Sequence, residues 1–226
     1  MSNSISDYKA VPVQRLREFV LHSICVSRLA GMVSREMQLP ESVQEGLELA
    51  GLFHDIGKIL SNEFSQTDND EKTAGVYIEI LRNARAHPSL GYMALREKGY
   101  SNFIANAVLY HHENYDGTGF PSNLTGKEIP IAARILRICD TYAALISNRP
   151  YRKAFDSDTA MELMREDVKN FDMKVFLAFM AIMQGEQNQM EIQTICYTDR
   201  PLEEVAGKWN EEIKEIELLW QNQCKD

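Results

Sequence analysis

Residues 111–121 have the sequence HHENYDGTGFP. They overlap a longer stretch, residues 112–130, that contains three glycines and two prolines. This composition predicts a long structured loop, and loops of this length inside a domain usually serve a function. The stretch begins at two adjacent histidines, and imidazole suits iron, manganese, zinc or nickel as a ligand. We therefore expect a metal site beside this loop.

The other three histidines are His22, His54 and His87. His54 is followed directly by Asp55 at the end of LAGLFHDIGKI (residues 49–59), which is apolar on nearly all sides and should be buried. An unpaired aspartate buried there would be costly, so it needs a cation or hydrogen-bond partners. Lys58 follows one turn later and could point at the same place.

Two more carboxylates complete the candidate set. Asp140 lies in the otherwise apolar ARILRICDTYAALIS (residues 133–147). Glu18 stands four residues before His22, so Glu18 and His22 share a helix face and could bind one ion. Each residue alone also fits an ordinary role: His22 in the core, Glu18 and Lys58 in solvent, Asp140 bonded to backbone or arginine. The set as a whole favours a metal site.

Apolar periodicity predicts a mostly helical chain, beginning with the apolar stripe Val13, Leu16, Val20, Ile24, Leu29 and Val33. The predicted helices cover about 13–37, 41–58, 76–85, 88–98, 101–112, 130–147, 157–168 and 172–184. Residues 61–75 are polar and turn-rich, which predicts a loop. Residues 190–199 show a strand-like alternation, and residues 201–222 resemble an amphipathic helix.

Composition limits the function classes. The 226 residues carry a net charge of −9, which argues against binding to long nucleic acid, because such proteins need basic surfaces. The four cysteines form no CxxC pair, which indicates reduced thiols in a cytoplasmic protein. No stretch is long and apolar enough for a membrane span, and the N-terminus lacks the apolar core of a signal peptide.

The order H…HD…D formed by His22, His54, Asp55 and Asp140 resembles the ligand signature of HD-superfamily phosphohydrolases. Residues 111–121 closely resemble the HHExxDGxGYP segment of the HD-GYP subfamily. HDIGK (54–58), HPSLGY (87–92), IPIAARIL (129–136) and NRPYRKA (148–154) follow in a similar order. The resemblance implies an all-α fold: an HD-domain helical bundle over residues 1–184 with a long glycine-rich signature loop. Residues 185–226 would form a C-terminal extension for packing or dimerisation.

The resemblance also implies roles for individual residues, with two or three divalent metal ions, iron or manganese. The implied metal ligands are Glu18, His22, His54, Asp55, His87, His111, His112 and Asp140, with Asp55 bridging. Asp55 and Lys58 would be catalytic, Lys58 lying beside the phosphate. Lys58, Phe120, Arg149 and Arg152 would contact the substrate.

The implied function is hydrolysis of cyclic di-GMP to pGpG, and in some members on to GMP. This chain departs from the pattern at Phe120, which replaces a tyrosine, at Ala143, which replaces an aspartate, and in residues 61–75. These changes keep open two alternatives: a phosphohydrolase for another nucleotide or cyclic dinucleotide, and a metal-bearing sensor without turnover. Because no sensory domain fits before residue 15, we expect control through a homodimer, a regulatory protein partner, or metal or redox state.

Overall fold

The computed structural model describes residues 13–61, 74–148, 152–196, 198 and 200–223. The helices in this part are α1 Val13–Glu36, α2 Glu41–Phe53, α3 Ile56–Leu60, α4 Ala74–Glu97, α5 Asn102–Tyr110, α6 Ile131–Leu145, α7 Ser157–Glu166, α8 Met173–Met183, α9 Glu186–Cys196, α10 Leu202–Ala206 and α11 Asn210–Gln223. Short 3-10 turns lie at Gly126–Glu128, Val168–Asn170 and Gly207–Trp209. The described residues contain no β-strand, so the predicted all-α class is confirmed.

Helix α1 lies at the centre of the bundle and packs against α2, α6, α8 and α9. Its predicted apolar stripe is fully buried at Val20, Leu29 and Val33, and almost fully at Ile24. An apolar stripe of this kind has to be covered by other elements, because an isolated helix would leave it exposed to water. The site described below is built on the inner faces of α1, α2, α4, α5 and α6.

Two glycines allow the helices that carry the site to approach closely. A Cβ atom on Gly51 of α2 would lie 2.8 Å from the Cα of Ser27 on α1. A Cβ atom on Gly57 of α3 would lie 1.9 Å from the carbonyl oxygen of His87 on α4. Real Cβ contacts of this length do not occur, so both positions require glycine. These contacts bring α1 to α2 and α3 to α4 directly beside the histidines.

Two predicted helix boundaries were wrong. The predicted helix 41–58 is interrupted at His54–Asp55, because Asp55 adopts φ −102° and ψ 6°, and the chain restarts as α3. The predicted break between residues 85 and 88 is absent, because α4 continues through Pro88. Proline removes one backbone hydrogen-bond donor, but a helix can continue through it when packing against other helices holds the flanking residues in place. Most of the predicted loop 61–75, residues 62–73, lies outside the described residues.

The strand predicted over residues 190–199 was also wrong as far as Cys196, because Glu186–Cys196 is a helix, and residues 197 and 199 lie outside the described residues. Ile192 and Ile195 are buried at helical spacing, whereas Met190 is exposed. From α9 onwards the chain packs against α1, and the apolar residues of α11 join the same core cluster. The division at residue 184 stays a prediction. No described helix could cross a membrane, since none is both long and apolar enough.

Candidate metal centre

One group of possible metal ligands consists of His22, His54 and Asp140, which come from α1, the end of α2 and α6. His22 Nε2 lies 3.1 Å from Asp140 Oδ1, and His54 Nε2 lies 3.6 Å from the same oxygen. Each residue offers a donor atom within 4.8 Å of the others. Three donors converging from three helices can bind one cation, so this group is a candidate metal site.

A second group consists of Asp55, His87, His111 and His112. Asp55 Oδ1 lies 3.3 Å from His87 Nε2 and 3.8 Å from His111 Nε2. His112 Nε2 lies 3.1 Å from His87 Nε2. The group draws on α4, the end of α5 and the break between α2 and α3, so its geometry depends on the packing of α3 against α4.

Asp55 lies between the two groups. Its Oδ1 faces His87 and His111, whereas its Oδ2 lies 3.3 Å from His54 Nε2. A carboxylate can place its two oxygens on two different ions, as in two-metal sites where the ions are about 4 Å apart. The bridging role that the resemblance implies for Asp55 is therefore compatible with its position.

Backbone carbonyls orient two of the rings. His54 Nδ1 is 2.7 Å from the carbonyl oxygen of Gly51, and His111 Nδ1 is 2.6 Å from that of Val108. A carbonyl oxygen can only accept, so each Nδ1 carries a proton and each Nε2 is the nitrogen left to bind a metal ion. Metal-binding histidines are commonly oriented by a hydrogen bond of this kind.

Within the described part of the chain, the histidine–aspartate cluster contains most of the buried side-chain polar atoms that lack a hydrogen bond. Among the described residues, six buried side-chain nitrogen or oxygen atoms have no partner: Ser23 Oγ, Ser27 Oγ and four atoms of the cluster, His22 Nδ1, His54 Nε2, Asp55 Oδ1 and His111 Nε2. Leaving such an atom unpaired costs about 1–3 kcal/mol. A bound cation would satisfy the ligand atoms among them, and the imidazole and carboxylate donors suit a divalent transition metal. The residues present therefore fit a metal centre.

The electrostatics of the centre also suit cations. Burial alone would raise the pKa of Asp55, but the charges of Lys58 and His54 hold that pKa well below its usual range. Burial would likewise raise the pKa of Asp140, but hydrogen bonds with His22 and His54 keep it well below its ordinary value. Both carboxylates are therefore ionised at neutral pH.

The histidines differ in charge state. Burial lowers the pKa of His111 well below its ordinary value and that of His112 to about 3, so both rings are neutral and able to bind a cation. Burial also tends to lower the pKa of His54, but the Asp55 and Asp140 carboxylates raise it to about 10. His54 thus holds an additional proton in the metal-free chain, and an ion that binds its Nε2 must displace that proton.

Lys58 is held at the edge of the centre. Its Nζ lies 2.6 Å from Asp55 Oδ2, and a quarter of the side chain is exposed. The ammonium group therefore contacts both the buried carboxylate and the solvent side, where a phosphate could approach. Lysine binds phosphate as a point charge.

Glu113 organises the signature loop, residues 112–130, and sequence reasoning missed it. Its side chain is buried, with Oε1 accepting the Ser122 backbone N–H at 2.7 Å and Oε2 accepting that of Leu124 at 3.2 Å. The buried carboxylate of Glu113, the residue after His112, thus holds residues 122–124 of the loop close to His112. Its position in HHENYD, directly after two candidate ligands, was the available signal.

Arg137 holds the loop from the other side. It lies on α6 one turn before Asp140, and its Nε donates to Asn114 Oδ1 at 2.8 Å. The same guanidinium donates to Thr141 Oγ1 at 2.6 Å. The side chain therefore connects the loop to the helix that carries Asp140.

Phe120 lies at the centre. Its ring packs on His112 with centroids 4.8 Å apart and an interplanar angle of 30°. The ring also contacts an arginine, because the guanidinium carbon of Arg85 lies 5.5 Å from the Phe120 ring centroid. Because Phe120 covers a candidate ligand and an arginine covers Phe120, the ring can position both, although it lacks the tyrosine hydroxyl.

Two predicted site residues make other contacts, and a third is not described. Glu18 is exposed and accepts a hydrogen bond from Gln14 Nε2 at 2.9 Å, outside both ligand groups. The Arg152 guanidinium donates to the carbonyls of Ala144, Leu145 and Lys153 and lies 4.5 Å from the Phe155 centroid. Arg149 lies outside the described residues. The assigned roles of all three stay predictions.

The HD domain family profile matches residues 1–175 of this chain. The chain belongs to the HD domain family. A cyclic di-GMP phosphodiesterase of Pseudomonas aeruginosa is 34% identical over 166 residues, which cover 70% of this HD domain chain and 38% of the relative. The response regulator RpfG of Xanthomonas campestris, a cyclic di-GMP phosphodiesterase, is 36% identical over 140 residues, covering 60% and 35%.

A 3′3′-cGAMP-specific phosphodiesterase of Vibrio cholerae is 31% identical over 157 residues, covering 69% of this chain and 36% of the relative. The HD domain chain thus spans less than half the length of the curated relatives it matches. These relatives confirm the similarity to the HD-GYP subfamily.

Solved structures show the same HD domain fold. A Bdellovibrio bacteriovorus protein described as HDG"Y"P has a TM-score of 0.59 at 21% identity, covering 74% of this chain and 53% of that one. A cyclic GMP-AMP-specific phosphodiesterase of Vibrio cholerae has a TM-score of 0.58 at 15% identity, covering 93% and 54%. At these identities the similarity shows the fold and no more.

Proposed function

We propose that this chain is a metal-dependent phosphodiesterase that hydrolyses a cyclic dinucleotide, with cyclic di-GMP as the first candidate substrate. The observation that carries the proposal is the position of Asp55, whose two oxygens face two separate groups of ligand atoms. Two adjoining cation sites joined by one carboxylate are the arrangement used by many enzymes that displace a phosphate ester.

Seven residues would hold the ions: His22, His54 and Asp140 on one side, His87, His111 and His112 on the other, and Asp55 between them. When bound, divalent ions lower the pKa of a water nucleophile and neutralise charge on phosphate oxygens. Two ions, iron or manganese, match the two groups. A third ion would need a further ligand such as Glu18, which is exposed here one turn before His22.

The chain itself supplies positive charge at the mouth of the site. Asp55 and Asp140 contribute two negative charges, which Lys58 and the additional proton on His54 balance before ions bind. Two divalent ions would make the site positive and attract an anionic phosphodiester. Lys58, fixed on Asp55 Oδ2, would then stabilise charge that develops on a phosphate oxygen in the transition state.

Three relatives that act on cyclic dinucleotides support this substrate class. The Pseudomonas and Xanthomonas relatives are cyclic di-GMP phosphodiesterases, whereas the Vibrio relative is specific for 3′3′-cGAMP. Both substrates contain phosphodiesters and purine bases. Phe120, Arg149 and Arg152 are proposed to contact the substrate beside the metal ions. The cytoplasmic location, the homodimer and the regulatory partner stay predictions.

The test is turnover by the metal-loaded chain. The protein is purified anaerobically, loaded with iron or manganese, analysed for bound metal, and incubated with cyclic di-GMP, 3′3′-cGAMP and linear pGpG. We expect cyclic di-GMP to be converted to pGpG, and Asp55→Asn to reduce this at least about 1,000-fold through loss of the bridging charge. Asp158→Asn, the same change at an exposed position of α7, is the control and should retain activity.

The other outcomes separate the alternatives. Preferred turnover of 3′3′-cGAMP would keep the metallohydrolase proposal and change its substrate. Tight binding of a cyclic dinucleotide to a chain that holds two ions, with no turnover of any substrate, would replace the enzyme with a sensor.

A further inference from the structure

Two cysteine thiols face each other between α1 and the C-terminal part of the chain. Cys196 Sγ, at the end of α9, donates a hydrogen bond to Cys25 Sγ on α1 at 3.3 Å. Cys25 is fully buried, whereas Cys196 is partly accessible. The two residues are 171 positions apart in the sequence, so the pairing results from the fold. It plays no part in the proposed hydrolysis.

The thiol pair does not form a metal site. The candidate metal-binding groups among the described residues contain only histidine and aspartate, and no third ligand joins Cys25 and Cys196. Two sulfur atoms at this distance need to approach by only about 1.3 Å to reach the length of a disulfide bond. Because one thiol is accessible and the other is buried beside it, the pair has the arrangement of an attacking and a resolving cysteine.

The surrounding contacts already hold α9 in place. Ile192 and Ile195 of α9 are buried in the shared core. Just beyond α9, Arg17 of α1 donates to the backbone carbonyls of Thr198 at 2.6 Å and Arg200 at 2.7 Å. These contacts keep the sulfur atoms close without a covalent bond, so oxidation would require little rearrangement of the backbone.

We infer that Cys25 and Cys196 form a reversible disulfide that attaches the C-terminal segment, residues 186–223, covalently to α1. The oxidant is a small-molecule disulfide. The Cys196 thiolate attacks one sulfur of the oxidant and expels its other half as a thiolate, leaving a mixed disulfide. Cys25 then loses its proton, its sulfur attacks Cys196 Sγ, and the second half of the oxidant leaves as a thiolate. Two protein thiols are oxidised and one disulfide is reduced to two thiols.

The order of the two attacks follows from the environments. Cys25 Sγ is fully buried, whereas Cys196 is partly accessible to an oxidant, so Cys196 reacts first. In a reducing compartment the pair remains as two thiols, and it becomes a disulfide only when the compartment is oxidised. The segment would then be fixed to the helix that carries His22, one turn before Cys25.

The test uses the full chain and oxidised glutathione as the probe. After oxidation, remaining thiols are blocked, the protein is digested without reductant, and the peptides are analysed by mass spectrometry. We expect one linked peptide pair containing Cys25 and Cys196, lighter than the separate peptides by two hydrogen atoms and split by dithiothreitol. The melting temperature should rise by roughly 5–10 °C, because the crosslink closes a very long loop.

Two variants are informative. Cys196→Ser, at a partly exposed position, should remove both the linked peptide and the rise in melting temperature. Cys224→Ser should retain both and is the matched control. The inference is overturned if the oxidised wild type, once unfolded, still has a free Cys25 thiol that the blocking reagent modifies completely. It is also overturned if Cys196 is linked to Cys139 or Cys224. These readouts do not depend on catalytic activity, so they stand apart from the proposed function.

Discussion

Replacing Gly57 with alanine should damage the metal centre without touching a ligand. Gly57 lies two residues after Asp55 and one before Lys58, and an added Cβ would be 1.9 Å from the His87 carbonyl oxygen. A second backbone atom, the Gly91 nitrogen, would be 2.8 Å away. Because both obstacles are backbone atoms of α4, no side chain can rotate to make room, and α3 has to move away from α4.

The size of the movement follows from these distances. Reaching even 3.0 Å, the shortest separation that real Cβ atoms show, requires a shift of about 1.1 Å (3.0 minus 1.9). Two atoms that bind one ion at about 2.1 Å each can be at most about 4.2 Å apart. Asp55 Oδ1 and His87 Nε2 are 3.3 Å apart, which leaves about 0.9 Å of slack. The displacement exceeds this slack, so the two residues should no longer share an ion.

We therefore expect Gly57→Ala to bind about one metal ion fewer per chain and to lose at least about 100-fold in kcat/KM. Overpacking of this kind costs about 2–3 kcal/mol, which lowers the melting temperature by roughly 5–10 °C. Elemental analysis, steady-state kinetics and calorimetry on one preparation measure all three quantities.

Gly46→Ala on α2 is the matched control, because its Cβ would meet side chains and no backbone atom among its nearest neighbours, first the partly exposed Phe103 ring at 3.0 Å. This variant should retain metal and activity. A Gly57→Ala protein with the wild-type metal content and rate would refute the argument that close packing of α3 on α4 holds the second group together.

Three further predictions concern the loop, the stability and the ring. Glu113→Ala leaves two loop amides without their acceptor, so we expect a loss of about 1–3 kcal/mol in unfolding free energy, measured by urea titration, and a higher KM, measured by steady-state kinetics. An unchanged KM would mean that the loop does not contact the substrate. Burial opposes ionisation of Glu48, but hydrogen bonds from Lys208 and Arg35 lower its pKa, so Glu48→Gln should cost about 1 kcal/mol of unfolding free energy at pH 7. This loss should shrink as the pH falls below 4.5 through the folded-state pKa. A loss that does not depend on pH would exclude the charge of Glu48 as its cause. Phe120→Tyr should retain activity, whereas Phe120→Leu should lose about 10-fold in activity, because only the leucine variant lacks the ring that packs on His112. Equal rates in the two variants would contradict a role for the aromatic face.

Much of the fold could be predicted because its signals are local. The spacing of Val20, Ile24 and Val33 predicted α1, and the glycines and prolines of residues 112–130 predicted the loop. The site could be predicted as a set of residue types: five histidines with Asp55 and Asp140 in apolar surroundings need partners, and the structure brings all seven into two adjoining groups.

The remaining features depend on tertiary contacts, which a single sequence does not reveal. The break at Asp55 arises where the chain turns between α2 and α3, and Pro88 is tolerated because α4 is packed on α3 and α5. The alternation around Ile192 fits a strand as well as a helix until α1 covers one face. The family resemblance implies that Arg152 contacts the substrate, which stays a prediction; only the structure reveals that its guanidinium donates to carbonyls at the end of α6.

The most direct test of the two-metal proposal measures hydrolysis of cyclic di-GMP by the anaerobic chain as manganese is added in steps, with bound metal determined in the same samples. The two ligand groups joined by Asp55 predict little turnover with one ion per chain and a steep rise as the second ion binds. Full turnover with one ion per chain, or none with two ions bound, would contradict the account.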